Sequence, residues 1–419
     1  MTKLTTGQNP RIRVALLTLA VSPVRGSECA VSWNYITRMS RYVDLTVIYP
    51  KYQQEVEQWL ADNPLQGVKF INVPIGELPP ERGIKQDLAD YRNVKQWHRD
   101  VFPLLQRLVA EKSIDLIHLL NPIGFKQPGK AWKIKDVPYV WGPIMCVENR
   151  PFRLYKAYPW RNKIKTTLRR VIHNAYFILS PWVRRAIRNS DVIFTATPNG
   201  VGLLRRWHGV KAQYLPENGI VETETSEPVT KSADEPLRLI WVGRVDDPNK
   251  ALVITLDALL KTKSRQWHLD VVGKGDISPE KRRKFTDILP QITFHGAISR
   301  SDVQKIFKAA HLHIISSMGE ATTTVLWEAM AKGIPTMTLD HCGMAGVVCE
   351  RCGIKIPIDW YDRVTQFMAE NIDDLILHPE RINALSKGAL ECSKKWMWDN
   401  RVKTFLETYN RLTAQYTSK

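Results

Sequence analysis

One stretch of the sequence, residues 311–348, contains two apolar runs with a helical segment between them. The first run, 311–316, has the length and composition of a buried parallel strand. After a turn, a helix is predicted over 322–332, and Gly333 follows it at the position where glycine is favoured beyond a helix end. The second run is 334–339. This order of strand, loop, helix and strand predicts a βαβ unit, and so an α/β protein with a parallel sheet.

The loop and the first turn of this predicted helix carry residues suited to binding an anion. Thr322, Thr323 and Thr324 occupy the first turn, where backbone N–H groups have no partner inside the helix. The positive end of the helix dipole and the three hydroxyl groups add to these donors. Glu320 lies on the loop before the threonines, and Glu328 follows two turns later. We therefore predict an anion site at the start of this helix, between two acidic side chains.

Glu320 and Glu328, with seven residues between them and AMAKGIP after them, resemble the E-x7-E signature of the retaining glycosyltransferases of family 4 (group 1). That family has the GT-B fold. The resemblance implies that Glu320 holds the hydroxyls of a donor sugar, that Glu328 binds the ribose of a nucleotide, and that the threonine turn receives the diphosphate. For two glutamates at this spacing, the alternative is an ordinary amphipathic helix in an α/β protein.

Two segments in the first half of the chain also resemble motifs of this family. Gly26, Ser27 and Glu28 are similar to the family's first-loop motif, in a branch where the loop reads G-S-E. A Gly-Ser turn at a helix start lets the backbone approach a phosphate closely. His118 ends a strand predicted at 114–119 and matches the family's D-x-x-H, whose histidine lies close to the donor sugar. We therefore expect His118 to face the cleft; the alternative is a core histidine with a backbone partner.

In the second half, Gly243-Arg244 followed by Lys250 resembles the family's G-R-x5-K-G, whose two cations bind the donor phosphates. Two cations aimed at a leaving diphosphate can do the work of a metal ion. The spacing is one residue longer than usual, and Ala251 replaces the common glycine. Ile298 lies in a segment similar to the loop whose backbone reads the base. Since the chain contains no D-x-D, we expect a metal-independent enzyme with no cofactor and with the nucleotide sugar as its substrate.

The formal net charge of +18 predicts a polyanionic partner. Residues 150–190 contain no Asp or Glu and interleave Lys and Arg with aromatic residues. This composition suits the headgroup layer of an anionic membrane. It would also suit single-stranded nucleic acid, or a basic face that packs its aromatic rings inward. We favour docking on a membrane surface to reach a lipid-linked acceptor, and we expect no nucleic acid.

No apolar run approaches membrane-spanning length, and the first apolar run is too short for a signal peptide. We therefore expect a cytoplasmic protein that can contact the inner face of the membrane peripherally. The six cysteines are scattered, as reduced core thiols are. Cys349 and Cys352 have the spacing of half a zinc site, but the sequence offers no second pair. Packing thiols, with no metal, are the prediction.

The complete prediction is two Rossmann-like domains that face each other across a cleft. The first, 1–221, binds the acceptor, a linker spans 222–236, and the second, 237–395, binds the nucleotide sugar. A last helix within 396–419 crosses back to the first domain, as the resemblance implies.

The expected reaction is transfer of a hexosyl group from a nucleotide sugar to a glycan or lipid-linked acceptor, with retention of configuration, in surface polysaccharide or glycolipid synthesis. Three alternatives remain open. They are a sugar-nucleotide epimerase on the same fold, a basic nucleic-acid-binding protein, and a catalytically silent scaffold that binds nucleotide.

Overall fold

The computed structural model describes residues 11–77, 84–221 and 227–418, without the side chains of residues 84 and 85. Its strands form two separate parallel sheets, which confirms the predicted α/β class. Residues 222–226, in the predicted linker, lie outside the described residues. The exact bounds of the two domains stay a prediction.

The strands of the first sheet are β1 Arg13–Leu17, β2 Asp44–Tyr49, β3 Val68–Asn72, β4 Leu116–Leu119, β5 Tyr139–Ile144, β6 Val192–Thr195 and β7 Gln213–Tyr214. They are paired in the order β3-β2-β1-β4-β5-β6-β7. Every residue of β4 and of β6 is buried, because helices cover both faces of the sheet. The order reverses direction between β1 and β4. Ligands of such sheets bind beyond the carboxyl ends of the strands at this point.

The strands of the second sheet are β8 Leu237–Val242, β9 Trp267–Val272, β10 Ile292–Gly296, β11 Leu312–Ile315, β12 Thr336–Leu339 and β13 Gly353–Ile356. They are paired in the order β10-β9-β8-β11-β12-β13, again with a reversal, here between β8 and β11. The βαβ unit predicted around Gly333 is therefore present. Gly333 has a φ of 69°, the left-handed conformation that glycine adopts beyond a helix end.

The helices of the first half are α1 Glu28–Met39, α2 Gln53–Asp62, α3 Ile84–Ala110, α4 Trp160–Leu179, α5 Pro181–Arg188 and α6 Pro198–His208. Those of the second half are α7 Leu252–Lys261, α8 Pro279–Lys284, α9 Arg300–Ala309, α10 Thr324–Ala331, α11 Cys342–Val347, α12 Tyr361–Leu377, α13 Glu380–Lys395 and α14 Trp398–Thr417. Single 3-10 turns lie at Ala131–Lys133, Phe152–Ala157 and Leu289–Gln291. Within the described ranges, none of these helices combines the length and apolar character needed to span a bilayer.

The last helix, α14, completes the core of the first domain. Its buried side chains pack in one cluster with residues of β1, β2, β4 and α1; they are Trp398, Val402, Phe405, Tyr409 and Leu412. Their helical spacing produces one apolar stripe, which the first sheet covers. The predicted return of the last helix to the first domain is confirmed.

Candidate active site

The loops that follow β8 and β11 meet at the carboxyl ends of these neighbouring strands. The Nζ atom of Lys250 lies 2.6 Å from Oε1 of Glu320, and the two side chains are 23% and 19% exposed. Asn249 holds the two loops together: its Nδ2 donates to the carbonyl of Gly319 at 3.1 Å, and its carbonyl accepts from the Met318 amide at 2.9 Å. The sheet thus brings Lys250 and Glu320 together, while Asn249 was not among the predicted site residues.

The turn after β8 presents Arg244 at the edge of this site. Its Nη2 atom lies 2.9 Å from Oδ2 of Asp247, and the side chain is 56% exposed, so most of its donors remain available. Ala251 has a φ of 52°, the left-handed conformation that glycine favours, although the chain has no glycine there. A Cβ atom at Gly273, directly after β9, would overlap the carbonyl of Gly243, so this turn needs glycine to pack on the loop after β8.

The start of α10 differs from its prediction. The helix begins at Thr324 with Thr323 in the N-cap position, and Thr322 precedes it. The amide and hydroxyl of Thr322 both donate to Oε1 of Glu217, at 2.8 and 2.6 Å. The expectation that Thr322 offers free donors to a ligand is therefore wrong, because a carboxylate of the chain already occupies them. The hydroxyl of Thr323 is buried without a partner among the described residues, and Thr324 is exposed.

Glu217, which accepts both hydrogen bonds from Thr322, also experiences the positive charge of Arg401 near the end of the chain. Burial raises the pKa of its carboxyl, while the hydrogen bonds from Thr322 oppose the rise. Arg401 of α14 is buried as well. Burial lowers the pKa of its guanidinium to about 9, although the negative charge of Glu217 acts to raise it. The guanidinium of Arg401 lies 4.6 Å from the centre of the Trp398 ring. Glu217 was not among the predicted site residues; its only signal in the sequence is an acidic residue five positions before the predicted linker.

Glu328 lies on α10 and is 18% exposed. It accepts hydrogen bonds from Arg300 at 3.2 Å and from Gln304 at 3.1 Å, both on α9. Ile298 lies two residues before Arg300, half-buried in the loop between β10 and α9. The structure therefore brings Ile298 and Glu328 to the same side of the second sheet.

The backbone at the start of α11 packs directly against the loop that carries Glu320. The amide of Gly343, in the first turn of α11, donates to the Glu320 carbonyl at 3.2 Å. A Cβ atom at Gly343 would overlap the carbonyl of Ala321. Any other residue at this position would displace the loop that carries Glu320.

His118 does not lie in the cleft. It is fully buried, its Nε2 donates to the Gly142 carbonyl at 2.6 Å, and its Nδ1 accepts from the Tyr409 hydroxyl at 2.5 Å. Burial lowers its pKa to about 4, so the imidazole is neutral at pH 7. The expectation that His118 faces the donor sugar is wrong, because both ring nitrogens are used in the core beneath α14.

The loop that carries Gly26 and Ser27 lies behind the wall of a cavity. Ser27 has a φ of 57° and precedes α1. Oε1 of Glu28 accepts a hydrogen bond from the Ile123 amide at 3.1 Å, and burial raises the pKa of this carboxyl. Ile123 lines the cavity. Glu28 therefore fixes the loop after β4, and Gly26 and Ser27 lie next to it.

This cavity of about 390 Å³ is formed by the first domain and reaches Gly319 of the second. A Cβ atom at Gly319 would lie 3.4 Å from Cγ of Arg150, so the two domains meet here beside Glu320. Glu148 also lines the cavity; it accepts from the Thr197 hydroxyl and from Nδ2 of Asn199, the latter at 3.3 Å. Arg150 belongs to the segment predicted to dock on a membrane, and Glu148 was not among the predicted site residues.

Away from the cleft, the fold brings a third cysteine to the predicted pair. Sγ of Cys349 lies 3.6 Å from that of Cys352 and 3.5 Å from that of Cys392 on α13. Three thiols at these distances could hold a metal ion. A structural zinc site needs four ligands, and no fourth His, Cys, Asp or Glu joins the group within the described ranges. Their interpretation as packing thiols therefore stays a prediction.

Comparison with known proteins adds sequence similarity to this geometry. Residues 236–376 match the model of the family described as Glycosyl transferases group 1. The phosphatidyl-myo-inositol mannosyltransferase of Mycolicibacterium smegmatis is 25% identical over 295 residues. That alignment covers 68% of this chain and 66% of the relative, just under two thirds of its length.

Two solved structures resemble the whole chain. The sucrose-phosphate synthase of Thermosynechococcus elongatus has a TM-score of 0.63 and 18% identity, and the match covers 97% of this chain and all of that one. The Anabaena protein Alr3699/HepE, crystallised with UDP-glucose, has a TM-score of 0.59 and 12% identity, and covers 96% of this chain and all of that one. At these identities the likeness concerns the fold.

Proposed function

We propose that this chain, whose residues 236–376 match the group 1 glycosyltransferases and whose two sheets have the GT-B architecture, transfers a hexosyl group from a nucleotide sugar with retention of configuration. The acceptor is a glycan or lipid-linked molecule in surface polysaccharide or glycolipid synthesis. One observation carries the proposal: Lys250 contacts Glu320 at 2.6 Å, beside the point where the first-domain cavity reaches Gly319.

Glu320 orients the hydroxyls of the donor sugar in this proposal. Its carboxylate is held on one side by Lys250, so the ion pair fixes the direction of the free oxygen. An ammonium has three donors, and Lys250 retains two of them for a donor phosphate. Arg244, more than half exposed, supplies a second cation from the same loop.

The departing diphosphate lies against the start of α10, at Thr323 and Thr324, with Arg244 and Lys250 around it. Oriented donors and cations at this point stabilise the charge that develops as the glycosidic bond breaks. A phosphate oxygen on the same face of the sugar takes the proton of the acceptor hydroxyl as that hydroxyl attacks. The reaction then requires neither a metal ion nor a cofactor.

Glu328 binds the ribose, and the backbone at Ile298 contacts the base. Arg300 and Gln304 hold the Glu328 carboxylate in place before the nucleotide arrives. Gly26 and Ser27 approach the diphosphate from the first domain. Because these groups lie on two domains, turnover requires closure of the cleft.

The comparisons support the substrate classes at a coarser level. The Anabaena neighbour was crystallised with UDP and with UDP-glucose. The mycobacterial relative is named for a lipid-linked acceptor, phosphatidyl-myo-inositol. We extend to this chain a nucleotide-sugar donor and an acceptor that a membrane can carry.

Contact with an anionic membrane through residues 150–190 is part of the proposal. Six large apolar side chains of α4 are exposed: Trp160, Ile164, Leu168, Val171, Ile172 and Leu179. Five of them recur at helical spacing from residue 160 to 172 and form one stripe. Arg161, Lys163 and Lys165 flank it. An apolar stripe with cations beside it is suited to the headgroup boundary, although Phe177 and other aromatic rings of the segment pack inward.

Thermal denaturation with a panel of UDP-, GDP- and ADP-sugars tests the donor site. A nucleotide sugar at a hundred times its Kd should stabilise the protein by about 2.7 kcal/mol. Glu328→Ala should lose this stabilisation, while Glu350→Ala, an exposed glutamate outside the site, should keep it. If no nucleotide sugar stabilises the wild type, the proposed function is wrong.

Turnover distinguishes the proposal from its alternatives. A transferase consumes donor only when an acceptor is present, whereas an epimerase converts the donor alone. Oligonucleotide affinity that falls steeply with salt and ignores nucleoside diphosphate would favour a nucleic-acid-binding protein. Nucleotide binding with no turnover under either condition would favour a scaffold.

A further inference from the structure

The cavity that reaches Gly319 is lined by more positive than negative side chains. Four cationic side chains line it: Lys126, Arg150, Arg169 and Arg170. None of them forms an ion pair with an acidic side chain in the part of the chain that the structure describes. Positive charge gathered in a concave surface attracts anions strongly.

His173 also lines the cavity, but it is neutral at pH 7 and neither adds to nor reduces the positive charge. Nζ of Lys126 lies 2.7 Å from its Nε2. Burial, followed by the charges of Lys126, Arg169 and Arg150, lowers the pKa of His173 to about 4. The neutral imidazole accepts a hydrogen bond from the Lys126 ammonium and helps to orient it. Arg169 keeps contact with solvent, yet desolvation in the concave surface and the charge of Arg150 lower its pKa.

The two acidic side chains of the cavity have other partners. Oδ1 of Asp90 lies 3.7 Å from Nζ of Lys51. Glu148 is held by Thr197 and Asn199, and burial raises the pKa of its carboxyl. Neither carboxylate therefore neutralises the cations, which leaves an excess of positive charge for a ligand to balance.

This cavity is separate from the proposed diphosphate position. Among the described residues, Gly319 alone represents the second domain in the lining, so Arg244, Lys250 and the start of α10 lie outside the cavity. Arg150 nevertheless lies close to Gly319, next to Glu320: a Cβ atom at Gly319 would be 3.4 Å from its Cγ. A molecule anchored in the cavity can thus present a neighbouring hydroxyl to the donor sugar.

We infer that this cavity binds a phosphate ester of the acceptor, through the guanidinium groups of Arg150 and Arg169 with Lys126 beside them. The inference rests on the proposed function and names the class of its acceptor. A guanidinium binds either a phosphate or a carboxylate through two parallel hydrogen bonds. A phosphate monoester, however, offers three terminal oxygens and up to two negative charges, so it can be shared by several cations where a carboxylate, with two oxygens and one charge, is shared by fewer.

Room for the rest of the acceptor lies next to this site. A second cavity of about 430 Å³ shares Tyr91, Lys126 and Gln127 with the first and continues to Trp182. Helix α4 supplies Arg169 and Arg170 to the first cavity and Leu168 and Val171 to its exposed stripe. A phosphate on a lipid and a free phosphate ester share the same headgroup chemistry, so the experiment must separate the two sources.

Isothermal titration of the whole protein tests the inference with three probes. Geranyl phosphate represents a lipid phosphate, glycerol phosphate a free phosphate ester, and glucuronate a carboxylate. We expect a phosphate probe to bind, Arg150→Gln and Arg169→Gln each to weaken it about tenfold or more, and Arg185→Gln, an exposed arginine of α5, to change it less than twofold. If geranyl phosphate binds more tightly than glycerol phosphate, the acceptor phosphate belongs to a lipid. If the two bind with equal affinity, the acceptor is a free phosphate ester.

Several results would overturn the inference: no binding of either phosphate probe, equal binding of glucuronate, or equal loss in the Arg185 variant. The donor panel, run on the same variants, separates this failure from that of the proposed function. If a nucleotide sugar stabilises the protein but neither phosphate probe binds, only the inference about the acceptor is wrong. Phosphate binding that depends on Arg150 and Arg169, without any nucleotide-sugar stabilisation, removes the transferase and leaves the anion site.

Discussion

Nζ of Lys250 lies 2.6 Å from Oε1 of Glu320, so a single ion pair joins the loops after two neighbouring strands. The contact positions the carboxylate and brings a cation to the same point. We therefore expect that removal of either side chain weakens the contacts at both the sugar end and the phosphate end of the proposed donor.

Replacement of Glu320 by alanine should lower kcat/KM for transfer by at least about a hundredfold, because a group directed at the reacting sugar is lost. The melting temperature should stay near that of the wild type, since the carboxylate is partly exposed. Initial rates with the donor found by the nucleotide panel measure the effect. Glu350→Ala is the matched control, and transfer by Glu320→Ala at the wild-type rate would remove the site assignment.

Glu217→Ala should destabilise the protein by about 1–3 kcal/mol, because the amide and hydroxyl of Thr322 lose their acceptor and the buried Arg401 loses a nearby negative charge. Glu217→Gln keeps an acceptor oxygen for Thr322 and should cost less. Urea denaturation followed by tryptophan fluorescence measures both. Equal losses for the two variants would show that the hydrogen bonds to Thr322 contribute nothing.

Stability should fall as the pH is lowered from about 6.5 towards 4. Burial lowers the pKa of His98 and of His118 to about 4, whereas an unfolded histidine titrates near 6.5. Between pH 6.5 and pH 4 the unfolded chain binds more protons than the folded chain. Each histidine therefore stabilises the fold above about pH 6.5 and loses this contribution as the pH falls towards 4. The expected slope is at most about 1.4 kcal/mol per pH unit for each histidine.

Denaturation of His118→Gln over the same pH range isolates one of these slopes. The variant should be less stable at pH 7, and its stability should fall less steeply with acid. Asn63→Ala, which changes an exposed side chain that does not titrate, should keep the wild-type slope. A slope unaltered in His118→Gln would mean that this imidazole is not held neutral.

Cys349 should be the first cysteine to react with iodoacetamide near neutral pH. Burial alone would raise the pKa of this thiol, but hydrogen bonds from the Arg351 backbone and from the thiols of Cys392 and Cys352 lower it. Burial raises the pKa of Cys146 and of the other cysteines, which are also less accessible. Mass spectrometry of digested, briefly labelled protein locates the adduct. Early labelling of Cys146 instead would contradict this order.

A triple variant with Trp160→Ser, Ile164→Ser and Leu168→Ser should bind vesicles that contain phosphatidylglycerol about tenfold or more weakly than the wild type, because three exposed apolar side chains are lost. Glutamate at Arg161, Lys163 and Lys165 should do the same through charge. Sedimentation with the vesicles measures both. Leu377→Ser, an exposed apolar residue on α12, should bind like the wild type. Unchanged binding of the α4 variants would end the membrane proposal.

The sequence sufficed for the features that local pattern determines. Apolar runs and the glycine after α10 predicted the βαβ unit, and the last helix was predicted from its stripe and from the resemblance. Lys250 and Glu320 were both named, and the sheet brings them together because β8 and β11 are neighbours. Their contact could not be derived from spacing alone.

The corrections depend on partners that are distant in the chain. His118 is withdrawn into the core by Tyr409, which lies 291 residues further on. Thr322 is occupied by Glu217, 105 residues earlier, and α10 therefore starts two residues later than its pattern suggested. Arg150 and Arg169 were assigned to a surface by composition, whereas the fold directs them into a cavity.

The packing of α14 against the first sheet has a consequence for biogenesis. Domains of a multidomain protein usually fold in turn as they leave the ribosome. Here Phe405 and Tyr409, which close the core around His118, are translated only after the whole second domain. The first domain therefore emerges with an open apolar face, and it must wait, or be shielded by a chaperone, until residues 398–417 arrive.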